Sequence, residues 1–254
     1  MRHGNGKYAT IYGDSYEGPW KENRRHGVGK QIYEDGRVYE GEFVFGRKEG
    51  KGVMKKEGEY EYKGEWKQNK KEGEGVEVIK EVGRYEGQFK DNLRDGKGSF
   101  KYENGDTYIG QWSKGKIEGM GKFESKDSTY EGEWLNNKKS GKGVYKMKGG
   151  LVYEGIFKND KKSGFGRMKL DNGKEYEGQW RNNKPEGYGK LYSEKEAEAK
   201  VEYDGEWKNG LRHGKGVFRF KNGDVYDGNW AVGHIEGKGI MFYKSGAQYD
   251  GQWK

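Results

Sequence analysis

Hydrophobic and polar positions alternate along this chain with a period of two residues. In one stretch, Tyr203, Gly205 and Trp207 alternate with acidic residues, and further along Phe218 and Phe220 flank an arginine. A period of two is typical of β-strands that bury one face and expose the other. The pattern therefore predicts strands with aromatic rings and glycines on one face and charged side chains on the other.

These strands belong to an internal repeat, which largely determines the architecture. The motif Tyr-x-Gly-x-Trp/Phe recurs about every 23 residues, and all 8 tryptophans stand at its fifth position. A Gly-x-Gly string follows each complete motif at a constant distance. We expect one continuous array over residues 1–254, with about ten complete units and a half unit at each end. The motif tyrosines are Tyr16, Tyr39, Tyr62, Tyr85, Tyr108, Tyr130, Tyr153, Tyr176, Tyr203, Tyr226 and Tyr249.

Residues that favour turns separate the strands. An Asn, Gly or Asp follows each motif Trp or Phe by three residues, as at Asn69 and Asn92, and these residue types tolerate a positive φ. We expect a tight hairpin turn at this place. Strings such as Glu34-Asp35-Gly36 predict a three-residue loop with a glycine bulge at the other connection. The segment from Ser193 to Glu202 has four extra residues, which predicts a longer, charged hairpin tip.

The turn lengths also suggest a strand register. With a tight first turn, the residue after each motif Tyr lies opposite the residue between the two glycines. Lys63 is then expected to face Glu74, which reverses the Glu–Lys pairs that other units have at this place. Because glycine leaves space on a strand, we also expect a ring from the neighbouring strand beside it. The glycine and tryptophan positions would then form one packing device.

Strings such as Tyr-Glu-Gly-Glu-Trp at 130–134 and Gly-Lys-Gly-Val at 141–144 resemble the MORN (membrane occupation and recognition nexus) repeat. The resemblance covers nearly the whole chain. It implies an all-β fold, a single-layer, elongated, twisted antiparallel meander of β-hairpins that forms an open-ended, solenoid-like sheet. It also implies a scaffold for protein–protein interaction in a cytoskeletal or ciliary (radial-spoke-like) assembly. Enzymatic relatives carry a separate catalytic domain, for which we see no room in this chain.

Composition excludes several other classes of protein. Only 30% of the residues are hydrophobic and 36% are charged, yet 15% are aromatic, too many for a disordered tail. The chain has no cysteine, which excludes a disulfide framework and a thiolate metal site. No apolar run approaches the ~20 residues of a membrane span. We expect a cytoplasmic protein whose polar N-terminus is not a signal peptide.

The sequence offers little that resembles catalytic chemistry. His3, His26 and His213 each precede a Gly-x-Gly string, which indicates a surface position near a turn and not a metal or catalytic site. Each Gly-x-Gly string enters a strand, whereas a phosphate-binding loop leads into a helix. We therefore expect no enzymatic activity, no cofactor and no metal. Nucleic acid is not an expected partner, because the rings lie inside the fold and no uninterrupted basic groove is evident.

Two surfaces are candidates for contact with a protein partner. The rings form the core of a one-layer sheet, and a curved sheet can leave a ring-lined groove partly open for an amphipathic helix. The candidate groove residues are Tyr108, Trp112, Tyr130, Trp134, Tyr176 and Trp180. On the outer face, apolar residues stand where charge is the rule and form a second candidate contact. These residues are Ile156, Phe165 and Tyr188.

The alternative function is peripheral binding to acidic phospholipids or phosphoinositides. The net charge is +8, and lysine pairs recur at corresponding positions of successive units. Such a row could meet lipid headgroups at ~1 kcal/mol per Lys, although neighbouring acidic positions weaken the attraction. The candidate lipid-facing residues are Lys70, Lys71, Lys138, Lys139, Lys161 and Lys162.

The last strand lacks a hairpin mate in this sequence. Its rings, Tyr249 and Trp253, are therefore candidates for an edge contact. We expect a second copy of the chain, in a homodimer, or a partner strand to cover this edge. The other explanation is that the sequence is a fragment.

Overall fold

The computed structural model describes residues 1–170, 172–193 and 200–254, and every regular element in these ranges is a β-strand. The chain divides into two compact units, Met1–Lys126 and Asp127–Lys254. The strands of the first unit are β1 (Gly4–Ala9), β2 (Ser15–Lys21), β3 (Arg24–Arg25), β4 (Gly27–Ile32), β5 (Val38–Val44), β6 (Arg47–Lys56), β7 (Tyr60–Lys67), β8 (Lys70–Ile79), β9 (Gly83–Lys90), β10 (Leu93–Tyr102), β11 (Thr107–Ser113) and β12 (Lys116–Glu124). The strands of the second unit are β13 (Ser128–Leu135), β14 (Lys138–Met147), β15 (Val152–Lys158), β16 (Lys161–Lys169), β17 (Glu175–Arg181), β18 (Lys184–Tyr192), β19 (Val201–Lys208), β20 (Leu211–Arg219), β21 (Val225–Ala231), β22 (His234–Phe242) and β23 (Gln248–Trp253).

Within each unit, strands that follow one another in the chain lie side by side and antiparallel. The short strand β3 is an irregularity, since β2 pairs with both β3 and β4. The expected all-β, open meander of antiparallel hairpins is confirmed. Because strands pair with their chain neighbours, the fold repeats one local packing arrangement.

The tight turns have the expected conformation. Gln68 and Asn69 have φ angles of 50° and 71°, and Asn182 and Asn183 have φ angles of 50° and 70°. Two successive residues with positive φ form a type I′ turn, whose twist matches that of the flanking strands. The same conformation occurs at the other predicted Asn, Gly and Asp positions of the described residues.

The second kind of connection also follows the prediction. Gly36 has a φ of 82°, and its N–H donates a 2.9 Å hydrogen bond to the carbonyl oxygen of Tyr33. The Tyr33 N–H in turn donates to the carbonyl oxygen of Arg37 at 2.8 Å, which closes a three-residue loop. The longer tip expected between Ser193 and Glu202 lies outside the described residues, because these do not include 194–199.

The expected register is wrong by two residues. Lys63 lies opposite Val76. Glu74, its expected partner, lies opposite Gln88 of the next unit. Lys63 and Glu74 are therefore not direct cross-strand neighbours.

A β-bulge accounts for this shift. Beside the tight turn Trp66 pairs with Lys71, in the expected register, but beyond the bulge Gly64 pairs with Gly75. One residue of β7 therefore spans the same stretch as three residues of β8, and among those three Gly73 adopts a φ of +65°. A shift of two residues leaves every side chain on its face, so alternation in the sequence cannot reveal it. The first glycine of the Gly-x-Gly string thus adopts the positive φ that the bulge requires.

The second glycine of the string makes room for a ring. It pairs with motif glycines on both neighbouring strands, as in the series Gly155, Gly166 and Gly178, so that a row of glycines crosses each unit. A Cβ atom built on Gly166 would lie 2.4 Å from the Tyr153 hydroxyl and 2.7 Å from its ring. The expected packing of glycine against a ring is confirmed, but the ring is that of the motif tyrosine and not of tryptophan.

The rings interlock to form the core. Tyr153 packs edge to face on Phe157 of its own hairpin and on Trp180 of the next, with ring centroids 5.1 and 5.3 Å apart. The Trp180 Nε1–H donates a 3.0 Å hydrogen bond to the carbonyl oxygen of Gly166. Each ring contact of this kind adds about 0.5–1.5 kcal/mol to the burial energy. We call the side of each unit that carries the motif Tyr, the Trp or Phe and the glycine row the aromatic face, and the opposite, charged side the outer face.

Candidate functional site

The six rings that were expected to line a groove are buried. Their exposed fractions do not exceed 8%. The six are Tyr108, Trp112, Tyr130, Trp134, Tyr176 and Trp180. The chain's own side chains cover them, so a partner on the aromatic face first meets other residues.

A column of mainly cationic side chains runs beside these rings on the aromatic face. Each member lies opposite the Trp or Phe of its hairpin, as Lys162 lies opposite Phe157, and directly opposed residues share a face of the sheet. We call the charged members the cation column: Arg25, Lys48, Lys71 and Arg94 in the first unit, and Lys139, Lys162 and Arg212 in the second. The same position is held by Ile117, Pro185 and Ile235 in the remaining hairpins.

The charged groups of the column lie over aromatic rings. Lys162 Nζ is 5.1 Å from the ring centroid of Tyr153 and 5.0 Å from that of Trp180. Lys139 Nζ is 4.6 Å from the ring centroid of Tyr145. A cation over a ring face is attracted by about 0.5–1 kcal/mol when exposed and by about 2 kcal/mol when desolvated.

Burial lowers the pKa of the column lysines. The pKa of Lys48 falls to about 8, first through burial and then through the positive charges of Arg37 and Arg25. Burial alone lowers the pKa of Lys162, and burial also lowers the pKa of Lys139 although the negative charge of Asp160 opposes it. A pKa of about 8 still leaves Lys48 mostly protonated at pH 7, so this column position carries a charge at neutral pH.

The turn of the next hairpin holds the backbone of each column lysine. Asn183 Oδ1 accepts a 2.8 Å hydrogen bond from the N–H of Lys162, and the Asn183 N–H donates to the Lys162 carbonyl oxygen at 3.1 Å. Asp160 makes the same two contacts with Lys139, at 2.8 and 3.0 Å. The residue that allows the type I′ turn therefore also fixes the column residue one hairpin earlier.

One carboxylate lies between two column cations of the first unit. Glu77 accepts a 2.5 Å hydrogen bond from Lys71 Nζ and a 2.7 Å hydrogen bond from Arg94 Nη2. The three side chains expose at most 18% of their surface. Burial alone raises the pKa of Glu77, but its hydrogen bonds and charge interactions with Lys71 and Arg94 outweigh burial and hold the pKa below its usual value. The preceding hairpin has Met54 at the position of Glu77, opposite its motif tyrosine.

Lys139 and Lys162 lack such a carboxylate. Within residues 1–170, 172–193 and 200–254, no carboxylate oxygen lies within 4.0 Å of either Nζ. Lys162 Nζ lies 3.0 Å from Met168 Sδ, a weak acceptor. The second unit has Tyr145 and Met168 at the positions that correspond to Glu77. Its two column lysines are therefore partly desolvated cations with no carboxylate at ion-pair distance, although the charge of Asp160 acts on Lys139 from farther away.

The six lysines expected to face lipid lie on two different faces, which corrects that expectation. The members over the rings are Lys71, Lys139 and Lys162. The exposed members on the outer face are Lys70, Lys138 and Lys161. One of the exposed lysines, Lys70, forms a 2.5 Å ion pair with Asp91. The six do not form a single row that could face one membrane.

The candidate outer-face contact lies where the sequence predicted. Phe165 and Tyr188 are 55% and 56% exposed, and Ile156 is half-buried. The Tyr188 hydroxyl donates a hydrogen bond to the carboxylate of Asp204. A contact between these residues and a partner stays a prediction.

The candidate edge residues differ from their equivalents in burial. Tyr249 is 45% exposed, whereas the motif tyrosines from Tyr16 to Tyr226 expose at most 3%. Trp253 is half-buried, and its Nε1–H donates a 3.1 Å hydrogen bond to the carbonyl oxygen of Gly239. Cover by a second copy of the chain stays a prediction.

Two surface clefts open on the aromatic face beside column cations. One borders Arg25 in the first unit and the other borders Arg212 in the second. In the described part of the chain, no group of three or more His, Asp or Glu side chains is arranged to hold a metal ion. The same residues include no helix that is long and apolar enough to cross a bilayer.

Sequence reasoning missed the cation column and Glu77. The lysine pairs were considered only as a row that could meet lipid, but the two-residue turn of this hairpin places Lys162 opposite Phe157 on the aromatic face. The alternation therefore contained the signal for the column. Glu77 could have been found as an acidic residue at a position that is apolar in other hairpins, such as Met54.

Comparison with protein families identifies the repeat. The MORN repeat matches the chain at residues 16–36, 39–57, 62–80, 85–107, 108–129, 130–152, 153–175, 176–195, 203–225 and 226–248. These segments make up most of the chain and coincide with its hairpins. A search of curated proteins finds no match.

Comparison with solved structures finds only distant similarities. The TCP10 domain of Danio rerio CPAP, in complex with a peptide of STIL, is 12% identical with a TM-score of 0.41, over 82% of this chain and 97% of that chain. The TCP domain of Drosophila melanogaster SAS-4 (dCPAP), in complex with a proline-rich motif of Ana2 (dSTIL), is 10% identical with a TM-score of 0.32, over 72% and 85%. A streptogramin B lyase is 14% identical with a TM-score of 0.16, over 100% and 84%. Similarities this low support no conclusion about function.

Proposed function

This chain belongs to the MORN-repeat family, and from that premise we propose that it is a non-enzymatic scaffold that binds a partner protein on an aromatic face. The cation column is the observation that carries the proposal. Lys139 and Lys162 are half-buried over rings, and neither forms an ion pair with a carboxylate of the described residues. Because burying an unpaired charge costs stability, such groups are typical of a surface that receives a ligand.

The fold itself does not require a charge in the column. Ile117 and Pro185 occupy the same position in hairpins that have the same turn and the same bulge. A cation is therefore an addition to the hairpin and not one of its structural elements. Within the second unit, the successive hairpins of Lys139 and Lys162 place two cations at equivalent positions, which gives a repeated surface of the kind that repeat proteins use for binding.

Lipid binding is the alternative proposal, and fewer residues support it. Lys138 and Lys161 are exposed at equivalent places on the outer face, and the chain has a net charge of +8. The resemblance to the family also carries the proposal that the scaffold acts in a cytoskeletal or ciliary assembly. Imaging of the tagged chain in ciliated cells tests that location.

Site-specific crosslinking tests which face binds a protein. A photoreactive amino acid at Met168 lies on the aromatic face, and one at the adjacent Arg167 lies on the outer face. We expect a discrete set of crosslinked proteins from position 168 that is absent from position 167. Equal capture from both positions, or capture from position 167 alone, contradicts the proposal.

A further inference from the structure

Glu77 shows which kind of group the cation column holds. Its two carboxylate oxygens lie 2.5 Å from Lys71 Nζ and 2.7 Å from Arg94 Nη2, so a single carboxylate bridges cations of successive hairpins. Both cations also lie over rings, with Lys71 Nζ 4.8 Å from the Tyr62 centroid and the Arg94 guanidinium 5.0 Å from that of Tyr85. Ring, cation and carboxylate thus form one layered arrangement that the chain completes by itself.

The second unit contains the same arrangement without the carboxylate. Lys139 and Lys162 lie over rings as Lys71 does, and Tyr145 and Met168 stand where Glu77 would. A carboxylate from outside the chain would meet cations that are already positioned and partly desolvated. Such pre-positioned, partly buried charges bind an opposite charge more strongly than exposed lysines do.

The distance between the two lysines limits the shape of the ligand. Lys139 stands four residues before Gly143 on β14, and Lys162 stands four residues before Gly166 on β16. These two glycines pair with Gly155 on the strand between them, so the two lysines occupy equivalent places. Two strand spacings of ~4.8 Å separate their Cα atoms by about 10 Å. An α-helix rises 1.5 Å per residue, so residues about seven positions apart span this distance, and they lie on the same side of the helix.

A helix also suits the face of a sheet better than an extended peptide does. Backbone N–H and C=O groups need hydrogen-bond partners, and an extended peptide finds them at a sheet edge. The aromatic face offers mostly side chains, since the strand backbones already pair with each other. A helix satisfies its own backbone and can bring carboxylates to the half-buried lysines.

We infer that the aromatic face of the second unit binds an acidic amphipathic helix, with carboxylates about seven residues apart that pair with Lys139 and Lys162. This inference rests on the proposed function, because it specifies the partner of the same face. The column lysines are half-buried beside the rings, so a flat lipid surface reaches them less well than a flexible glutamate side chain does.

Synthetic helices test the charge pattern on the full chain. The first probe is an amphipathic peptide of about 20 residues with leucines on one side and two glutamates seven positions apart beside them. A second peptide has glutamine at both places, and a third has lysine. Binding to the labelled peptides is measured by fluorescence anisotropy at ~0.15 M salt.

Neighbouring lysines supply a matched control. The column variant is Lys139→Gln with Lys162→Gln, and the control variant is Lys138→Gln with Lys161→Gln. Both lose the same charge, but only the first pair lies on the aromatic face. A third variant, Lys139→Arg with Lys162→Arg, keeps the charge in the column. Urea denaturation establishes that each variant is folded.

We expect the glutamate peptide to bind the wild type at least about tenfold more tightly than the glutamine peptide does. The column variant should lose this preference, whereas the control and arginine variants should retain it. Equal binding of the glutamate and glutamine peptides overturns the inference but leaves the proposed function intact. If no peptide binds while position 168 still forms specific crosslinks, the inference is likewise wrong and the proposed function again stays intact.

Vesicles that contain phosphatidylserine form the last arm. If they bind the wild type, are released by the column substitutions, and none of the peptides binds, lipid is the ligand and the inference is wrong. If no peptide binds and position 168 captures no protein, both the inference and the proposed function fail.

Discussion

The charged residues of this protein differ mainly in how far water reaches them. The ion pair between Lys30 and Glu40 has side chains that are 49% and 52% exposed, and such pairs contribute little to stability. Glu77 and its two cationic partners are mostly buried, so the loss of one charge leaves the others without compensation. In the second unit, Lys139 and Lys162 also lie partly buried over rings, but among the described residues no side chain there corresponds to the Glu77 carboxylate.

Replacement of Glu77 by glutamine is expected to lower the free energy of unfolding by ~3 kcal/mol at pH 7, because Lys71 and Arg94 lose their carboxylate. Urea denaturation measures the loss. The control is Glu74→Gln, an exposed residue of the same strand, with an expected change within ~0.5 kcal/mol. Similar losses in the two variants contradict the account of Glu77.

The pKa of Glu77 adds a pH dependence to that experiment. The pKa of Glu77 is lower in the folded protein than in the unfolded chain. Its contribution to stability is therefore complete when the pH is above the unfolded pKa, and it disappears as the pH falls through the folded pKa. The difference in unfolding free energy between the wild type and Glu77→Gln should therefore shrink in acid. A difference that stays constant down to the acid transition argues against the ion pair as its source.

Lys48 should give a pH dependence on the alkaline side. Its folded pKa of about 8 lies below the unfolded value, so between these values the unfolded chain binds more protons. The contribution of Lys48 to stability therefore rises with pH from about 8 to about 10. We expect the stability of Lys48→Met relative to the wild type to fall over this range, as measured by urea denaturation at each pH. An unchanged difference contradicts the lowered pKa.

At the scale of the hairpin, the sequence predicted the strands and the turns but not the bulge. Alternation and turn residues each act over a few positions, so both could be recognised directly. The bulge shifts the register by two residues, which alternation does not record. One sequence feature does belong to it: Glu133 Oε1 accepts a 2.8 Å hydrogen bond from the Lys142 N–H between the two glycines. The fourth motif position, usually Glu or Gln, thus supports the irregular strand.

The motif glycine should tolerate no side chain. A Cβ on Gly132 would lie 2.5 Å from the Cα of Gly143 and 2.7 Å from the Tyr130 hydroxyl. We expect Gly132→Val to lower the free energy of unfolding by about 3 kcal/mol, since the bulk meets backbone and a buried ring. Glu131→Val, on the outer face, should change it by less than about 0.5 kcal/mol. Equal stability of the two variants in urea would reject the packing of the tyrosine on the glycine row.

At the scale of the whole molecule, the family and the fold could be predicted from the repeat. The candidate site was harder to predict, because the sequence does not show which side chains are buried. The motif rings were expected to form the core and also to line a partly open groove, but Tyr176 is 3% exposed because the next hairpin covers it. Burial in a repeat protein depends on contacts between hairpins, which the motif of one hairpin does not show. Only residues that vary between hairpins, such as Lys162 and Pro185 in the column, distinguish one part of the array from another.

The outer face provides a test of which side binds. Phe165 and Tyr188 are exposed on the face opposite the cation column. We expect Phe165→Lys with Tyr188→Lys to leave the affinity of the glutamate peptide unchanged within about twofold, as measured by anisotropy. A loss comparable to that of the column variant places the binding site on the outer face instead.

Reversal of one charge pair tests the central claim most directly. Lys162→Glu is combined with a peptide in which lysine replaces the glutamate expected to face it, and the affinities of all four combinations are measured. We predict that either change alone weakens binding at least about tenfold and that the two together restore it to within about threefold. If the doubly exchanged pair binds as weakly as the single changes, Lys162 does not pair with a carboxylate of the partner.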